Sequence, residues 1–418
     1  MRRIYFCCLL FSVESFAIEL APEADLVSFV SKVRANSALL KMQQSRVEAA
    51  KSSGEQAGKW GNPSFYAELG RLNNPAASGP TFEFRLSQPF FFPGKLGNIQ
   101  DAHAQEVAVQ QLYFKDLQQS FALDAVHALF ALKVASAKAS HYDSRFKRIS
   151  LMRTAMRSQT FASPQKIVER NVVAGRLINM QKQLDQNNAE REILKKKITI
   201  YTGDPDLQSP EPSWIQNVPE INEEHFTEAV VKGNWTLKIF YARLRRQEAE
   251  LALQRKSPYP DLNANIYYRQ EVPGTSQSNE FFGAGVSLPL PLVNRNSAGV
   301  QAAEKTMESQ RHELDFKLHE IRQMARALYA EYVQKRKTHE YLATIQLPQI
   351  DRNMAYADRE FKLGRLDLLT YLEIEVQSHE IFSSYYENQL EMVHLIARMI
   401  YALGESAEFT GDLYVFAR

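Results

Sequence analysis

The sequence predicts a mainly α protein with a small β part, built as a duplicated unit of long coiled-coil helices plus a β-hairpin. Three observations carry this. Asn62-Pro63, a strand-like run ending at Arg71, and Thr81–Gln88 leading into Pro89 recur about 200 residues later, as Pro258-Tyr259-Pro260-Asp261, a run to Arg269, and Phe281–Leu288 leading into Pro289. A long helical pattern follows each strand pair at once. The last of these patterns keeps a sustained 3.5-residue apolar period, the requirement for a left-handed supercoil.

The first residues read as an export signal, residues 1–17. Arg2-Arg3 precede an apolar Ile4–Val13 core, and Ser15-Phe16-Ala17 offers small residues for cleavage. Cleavage after Ala17 removes Cys7 and Cys8, the two cysteines of the chain, so no disulfide framework or cysteine metal site is expected. The composition, 44% hydrophobic and 23% charged, argues against disorder and against a polytopic helical membrane protein. No run of eighteen apolar residues occurs, so no transmembrane helix is expected. The net charge of +2 gives no electrostatic reason to expect nucleic acid.

Two repeats follow, 18–221 and 222–418. The first opens with a helical pattern over Ala24–Ala57 and continues into a β-hairpin, 63–90. There Phe65, Ala67 and Leu69 alternate with Tyr66, Glu68 and Gly70, and Phe82, Phe84 and Leu86 alternate with Glu83, Arg85 and Ser87. Asn73-Asn74-Pro75 and Ser78-Gly79-Pro80 supply turn chemistry. The second opens with a pattern over Asn222–Lys256 and has its hairpin at 260–289. Leu262, Ala264, Ile266 and Tyr268 alternate with Asn263, Asn265, Tyr267 and Arg269, and Phe282, Ala284, Val286 and Leu288 with Phe281, Gly283, Gly285 and Ser287. Strict period-two amphipathicity suits either a half-buried sheet or a lipid-facing barrel wall. Trp60, Phe90-Phe91-Phe92 and Tyr259 flank the strands, as an interfacial girdle or as ordinary core aromatics.

Between Pro93 and Pro164 there is no proline, and the glycines, Gly94 and Gly97, stand at the start. A helix over 97–159 extends roughly 90 Å at 1.5 Å per residue. A second follows over 164–203, with Ser163 as N-cap and Pro164 at its first position. Gly175-Arg176-Leu177 resembles a turn but falls mid-helix by this count. In the second repeat a helix spans 296–363, with a bend expected at Pro348. Another spans 366–404, the two being separated by Gly364-Arg365-Leu366-Asp367, where glycine closes one helix and aspartate starts the next. Its seam runs Leu369, Leu372, Val376, His379, Ser383, Tyr386, Leu390, Val393, Ala397 and Ile400.

The residues Ser87-Gln88-Pro89 into Phe92-Pro93-Gly94-Lys95, Val286-Ser287-Leu288-Pro289-Leu290-Pro291 with Asn294-Arg295-Asn296, Leu347-Pro348-Gln349, Gly364-Arg365-Leu366-Asp367 and Leu403-Gly404 together resemble the TolC family of outer-membrane efflux channels. They are most similar to its cobalt-zinc-cadmium, or cation/drug, efflux subgroup. The resemblance implies a homotrimer in the outer membrane of a Gram-negative bacterium. Each protomer would lend four strands to a twelve-stranded barrel in outer-membrane lipid, continued by an α-helical periplasmic tunnel. It implies loops 72–80 and 271–280 outside the cell, turns 160–164 and 363–367 at a periplasmic tip, and stretches 204–221 and 405–418 at the waist. It also implies a periplasmic adaptor and an inner-membrane pump, of RND type, as partners. Thr160 stands where the family usually has glycine, and a lipidated N-terminal cysteine, frequent in the family, is not expected. Ser163, Gly364, Arg365, Leu366 and Asp367 are the candidate adaptor-contact or gate residues. For Asp367 and Arg365 the plain alternative is a helix cap and a solvated cation.

No catalytic constellation stands out: there is no Gly-rich phosphate loop, His-Glu-x-x-His or Gly-x-Ser-x-Gly. No enzyme activity, cofactor or metal is expected. His312 and His319 share a helix face without a third ligand nearby, and His379 reads as a packed seam residue. The functional expectation is the outer-membrane channel of a tripartite efflux system. The alternative is a periplasmic coiled-coil adaptor or scaffold without a pore. Metal cations, drugs and peptides remain equally open as cargo.

Overall fold

The computed structural model describes residues 24–74, 77–157, 163–204, 215, 218, 220–272, 274 and 277–406. The export signal, the loop tips at 75–76, 273 and 275–276, Thr160 with the rest of 158–162, and most of both waist stretches lie outside them. The protein is mainly helical with one four-stranded sheet. It divides into two compact units, one of residues 1–40, 116–235 and 319–418, the other of 41–115 and 236–318.

The elements are α1 (Ala24–Asn36), α2 (Ala38–Ala57), β1 (Ser64–Asn74), β2 (Ala77–Phe90), α3 (Lys95–Arg157), α4 (Pro164–Thr202), α5 (Glu223–Gly233), α6 (Trp235–Lys256), β3 (Leu262–Glu271), β4 (Asn279–Ser287), α7 (Ser297–Tyr341), α8 (Leu347–Lys362) and α9 (Leu368–Leu403). A π-helical turn, Leu342–Gln346, joins α7 to α8. Pro348 has no N–H to give the preceding turn, and the π geometry re-registers the backbone just before it. The bend expected at Pro348 therefore takes the form of a five-residue π segment.

Four sequence expectations need correction. Each opening helix is two helices, interrupted at Ser37 and at Asn234. Both are short polar residues that offer the backbone local hydrogen bonds, which is why they suit helix boundaries. Ser37 Oγ accepts from Leu40 N at 3.3 Å, and Asn234 donates its side-chain amide to Ala402 O at 2.9 Å. The last helix starts at Leu368, not 366, because Asp367 is its cap. Leu369, placed in the seam, is exposed, while Leu372, Val393, Ala397 and Ile400 of the same seam are buried; a second 3,4 stripe through Leu368, Tyr371, Glu375, Ser378, Gln389, Met392, Ile396, Met399 and Leu403 is buried beside it. Finally, α3 is by length and composition long and apolar enough to cross a membrane, although no unbroken apolar run marks it. More than half of its most apolar window is buried inside the fold, as in a bundle's core helix.

In the first unit the far end of α9 is held by buried donors. Gln119 on α3 donates to Ile400 O (3.2 Å) and Gly404 O (3.3 Å), and Trp235 Nε1 donates to Gln119 Oε1 at 2.6 Å. These groups satisfy carbonyls that a helix C-terminus leaves open. Gly404 has φ +57, and a Cβ there would stand 2.4 Å from Gly233 O, so glycine is required by both conformation and space. At the opposite end of α9, Ile149, Val173, Leu177, Met180, Met354, Ala357, Leu368, Tyr371 and Leu372 form a core shared by α3, α4, α8 and α9. Each such large apolar side chain contributes about 1.5–3 kcal/mol by leaving water. Leu177, from the look-alike turn, is buried in this core, and Gly175 lies within α4.

In the second unit β1-β2-β3-β4 form one antiparallel sheet. Asp261, just before β3, accepts from Phe92 N at 3.0 Å and pairs with Lys95 at 2.9 Å. Asn296, at φ +54, ties the start of α7 to α6 through Gln254 O at 3.1 Å. The proline- and asparagine-rich connections are thus the joints between strand and helix.

Candidate channel wall and helix-turn site

Register decides what the sheet can do. Phe65 pairs with Leu86, Leu86 with Ile266, and Ile266 with Ala284. The neighbouring same-face row runs Ala67, Phe84, Tyr268 and Phe282. The apolar sets of all four strands therefore share one face, since in-register residues point the same way. Among the described residues nothing covers that face: Phe282 is 81% exposed and Leu69 73%. The opposite face is polar. Glu83 pairs with both Arg85 and Arg269, and Tyr66 donates to Glu68 at 2.6 Å. The sheet has an apolar side, a charged side and two unpaired edges, β1 and β4.

At the end of the first unit where α8 turns into α9, the structure gathers most of the candidate residues. Gly364, at φ +70, closes α8: its N–H donates to Phe361 O at 3.0 Å, and Arg365 N donates to Glu360 O at 3.0 Å, the two bonds of a Schellman motif. Leu366 turns inward against the core cluster. Arg365 points out, 71% exposed, with Nη1 3.7 Å from Glu360. Asp367 caps α9, accepting from Thr370 N at 2.9 Å. Its carboxyl is held below the usual carboxylate range, first by the Thr370 hydroxyl and then by that N–H. Ser163 caps α4, with Lys166 N donating to its Oγ at 3.4 Å.

The first turn of α4 and the Gly364–Asp367 turn line one depression of about 680 Å³. Gln165, Lys166 and Glu169 come from α4, and Met152 and Met156 from the end of α3. Glu169 is buried, with Lys166 at 3.1 Å and Gln165 at 3.2 Å. These five residues were not legible as site residues, because nothing in their local spacing distinguishes them from a solvated helix face.

A buried polar cluster between α3 and α9 was also missed. Arg145 and Glu375 form a two-pronged ion pair, with Nη2 2.9 Å from Oε2 and both side chains almost fully buried. His141 stacks on His379 with ring centroids 5.5 Å apart. Burial, and next the Arg145 guanidinium, push His141 down to about 4 and His379 down to about 3. Neutral rings are what a site beside a buried cation permits. His379 is a packed seam residue, as expected; His312 and His319 sit in no group of three or more potential metal ligands among the described residues.

Residues 231–380 match the family model described as outer membrane efflux protein. No curated protein matches the sequence. Solved structures do. The Neisseria gonorrhoeae MtrE outer membrane channel in its open state superimposes with TM-score 0.75 at 12% identity, over 93% of this chain and 91% of that one. The Campylobacter jejuni CmeC outer membrane channel gives TM-score 0.73 at 16% identity, over 93% and 88%. A membrane protein from Pseudomonas aeruginosa gives 0.76 at 14% identity, over 91% and 93%. Across nine-tenths of its length, this chain has the fold of these membrane proteins, two of them outer-membrane channels.

Proposed function

We propose that this protein is the outer-membrane channel of a tripartite efflux system, conducting cargo across periplasm and outer membrane and catalysing nothing. The observation that carries the reading is the four-stranded sheet with one uncovered apolar face, one charged face and two open edges. Backbone groups at an edge cannot be left unpaired in hydrocarbon, so the sheet has to close with other copies. Three protomers give twelve strands, β4 of one meeting β1 of the next, with the charged face toward the lumen. The chain is a duplication, 18–221 and 222–418, released from its export signal 1–17, and the helices form the periplasmic tunnel. A pore-less adaptor or scaffold has no use for such a sheet.

Purified protein in a planar bilayer is expected to open discrete conductances and to migrate as a cross-linkable trimer. Absence of both would overturn the channel. At the helix turns, Arg365 and Asp367 meet a periplasmic adaptor or pair across the closed tip, with Ser163, Gly364 and Leu366 shaping the turns. An RND-type pump supplies the cargo, and the sequence pattern resembles the cation/drug subgroup. Metal-ion and drug susceptibility of a deletion strain decides between those cargoes.

A further inference from the structure

The apolar face of the sheet is not uniform. Ala264 and Ala284 put methyl groups where neighbouring positions carry Leu86, Ile266 and Val286, and the low ground between them is a groove of about 660 Å³. That volume lies within the range of small-molecule sites. Gln88 also lines the groove, but its amide N–H groups are spent on Gly61 O (2.8 Å) and Pro89 O (3.0 Å). Asn265 is the other polar residue of the lining; the rest has the character of hydrocarbon, so a chain of CH₂ groups suits it better than a polar solute.

The groove's lower end is Phe90, at the foot of the strands, where Trp60 packs edge-on at 5.4 Å. Phe92 and Tyr259 stack at 4.6 Å beside the same connections. Segments 58–63, 91–97, 254–261 and 288–296 carry the cations Lys59, Lys95, Arg255, Lys256 and Arg295 with one acid, Asp261, and Arg255 pairs with Glu304 beyond them at 2.8 Å. Asp261 takes Lys95, while Lys59 and Arg295 are exposed. An apolar slot ending in amphipathic aromatics and surplus positive charge complements an acyl chain that ends in a phosphate.

We propose that this groove binds one acyl chain of an anionic glycerophospholipid, whose phosphate is held at the strand foot by Lys59, next to the Trp60 that packs on Phe90. The proposal rests on the channel reading, which makes this face the lipid face.

Native mass spectrometry of detergent-released protein with dioleoylphosphatidylglycerol tests it. Ala284→Phe, or Ala264→Phe should the first not fold, fills the groove and is expected to weaken lipid binding about tenfold. Ala67→Phe, on the same face outside the groove, is expected to leave it unchanged. Lys59→Gln is expected to erase the preference for this lipid over dioleoylglycerol. Equal binding by the groove-filling and control variants overturns the groove, and equal binding of dioleoylglycerol by the unaltered protein overturns the phosphate site. Bilayer conductance of the same preparations keeps the two readings apart: a conducting protein without bound lipid sinks only the groove. A lipid-binding protein that never conducts sinks the channel.

Discussion

Arg145 and Glu375 show what a single residue can decide. A buried cation is tolerable only with its partner, because the low-dielectric interior offers no water to replace it. Glu375→Gln therefore strands the guanidinium and is expected to destabilise the helical unit by about 3–5 kcal/mol. The double change Arg145→Met with Glu375→Leu should recover most of that, both read from denaturant unfolding midpoints. The neighbouring histidines set a pH dependence of definite sign. Their ordinary value is near 6.5, while the fold holds His141 at about 4 and His379 at about 3. As pH falls below about 6.5 the unfolded chain takes up protons that the native state refuses, so stability drains away toward pH 3. Arg145, Arg148 and Lys138 oppose protonation and Glu375 favours it at His141. Unfolding midpoints at pH 7.5 and 5 should diverge in the parent protein and diverge less in His379→Phe. Identical divergence would remove the pair as the cause.

At the scale of elements, caps and breaks carry the argument. Ser163, Gly203, Gly364 and Asp367 end or begin helices where their side chains or left-handed backbones satisfy open groups. All four follow from local rules, and so they were legible. The two short breaks at Ser37 and Asn234 were not, because the apolar pattern runs through them and only the tertiary donor from Asn234 to Ala402 O shows why the second exists. Capping and function can be separated at Asp367. Asp367→Ala is expected to cost about 1 kcal/mol through the lost cap. Asp367→Asn keeps an acceptor for Thr370 N and removes only the charge. If the turn works by charge, Asp367→Asn with Arg365→Gln lowers export and adaptor cross-linking while stability holds. Unchanged export and cross-linking would leave these two as a cap and a solvated cation.

For the whole molecule the two faces of the sheet make opposite demands on their surroundings. Phe84 sits on the apolar face, in register with Ala67 and Tyr268, and Ser87 on the other. Phe84→Arg is expected to destabilise the liposome-inserted protein by about 2–4 kcal/mol, the cost of a cation on a lipid-facing barrel strand. Ser87→Arg should be close to neutral. Urea unfolding from liposomes measures both, and equal costs would contradict a lipid-facing assignment of this face.

What the sequence determined by itself are the features written in local periodicity and punctuation. Period-two strands, long proline-poor helices, and glycine, proline and aspartate at their ends follow from backbone sterics and side-chain spacing within a few residues. The duplicated order of those elements also carried the resemblance to outer-membrane efflux channels. Only the tertiary structure decided that a second, more polar stripe of α9 is buried. The apolar seam buries Leu372, Val393, Ala397 and Ile400, and the more polar stripe through Tyr371, Glu375 and Gln389 lies inside as well. Its polar members find partners over long separations, Glu375 in Arg145 and Gln389 in Ile215 O. Hydrophobicity along the chain cannot register a buried charge whose partner stands 230 residues away. The same limit hid the groove, since Leu86, Ala264 and Ala284 become neighbours only when strand register aligns them.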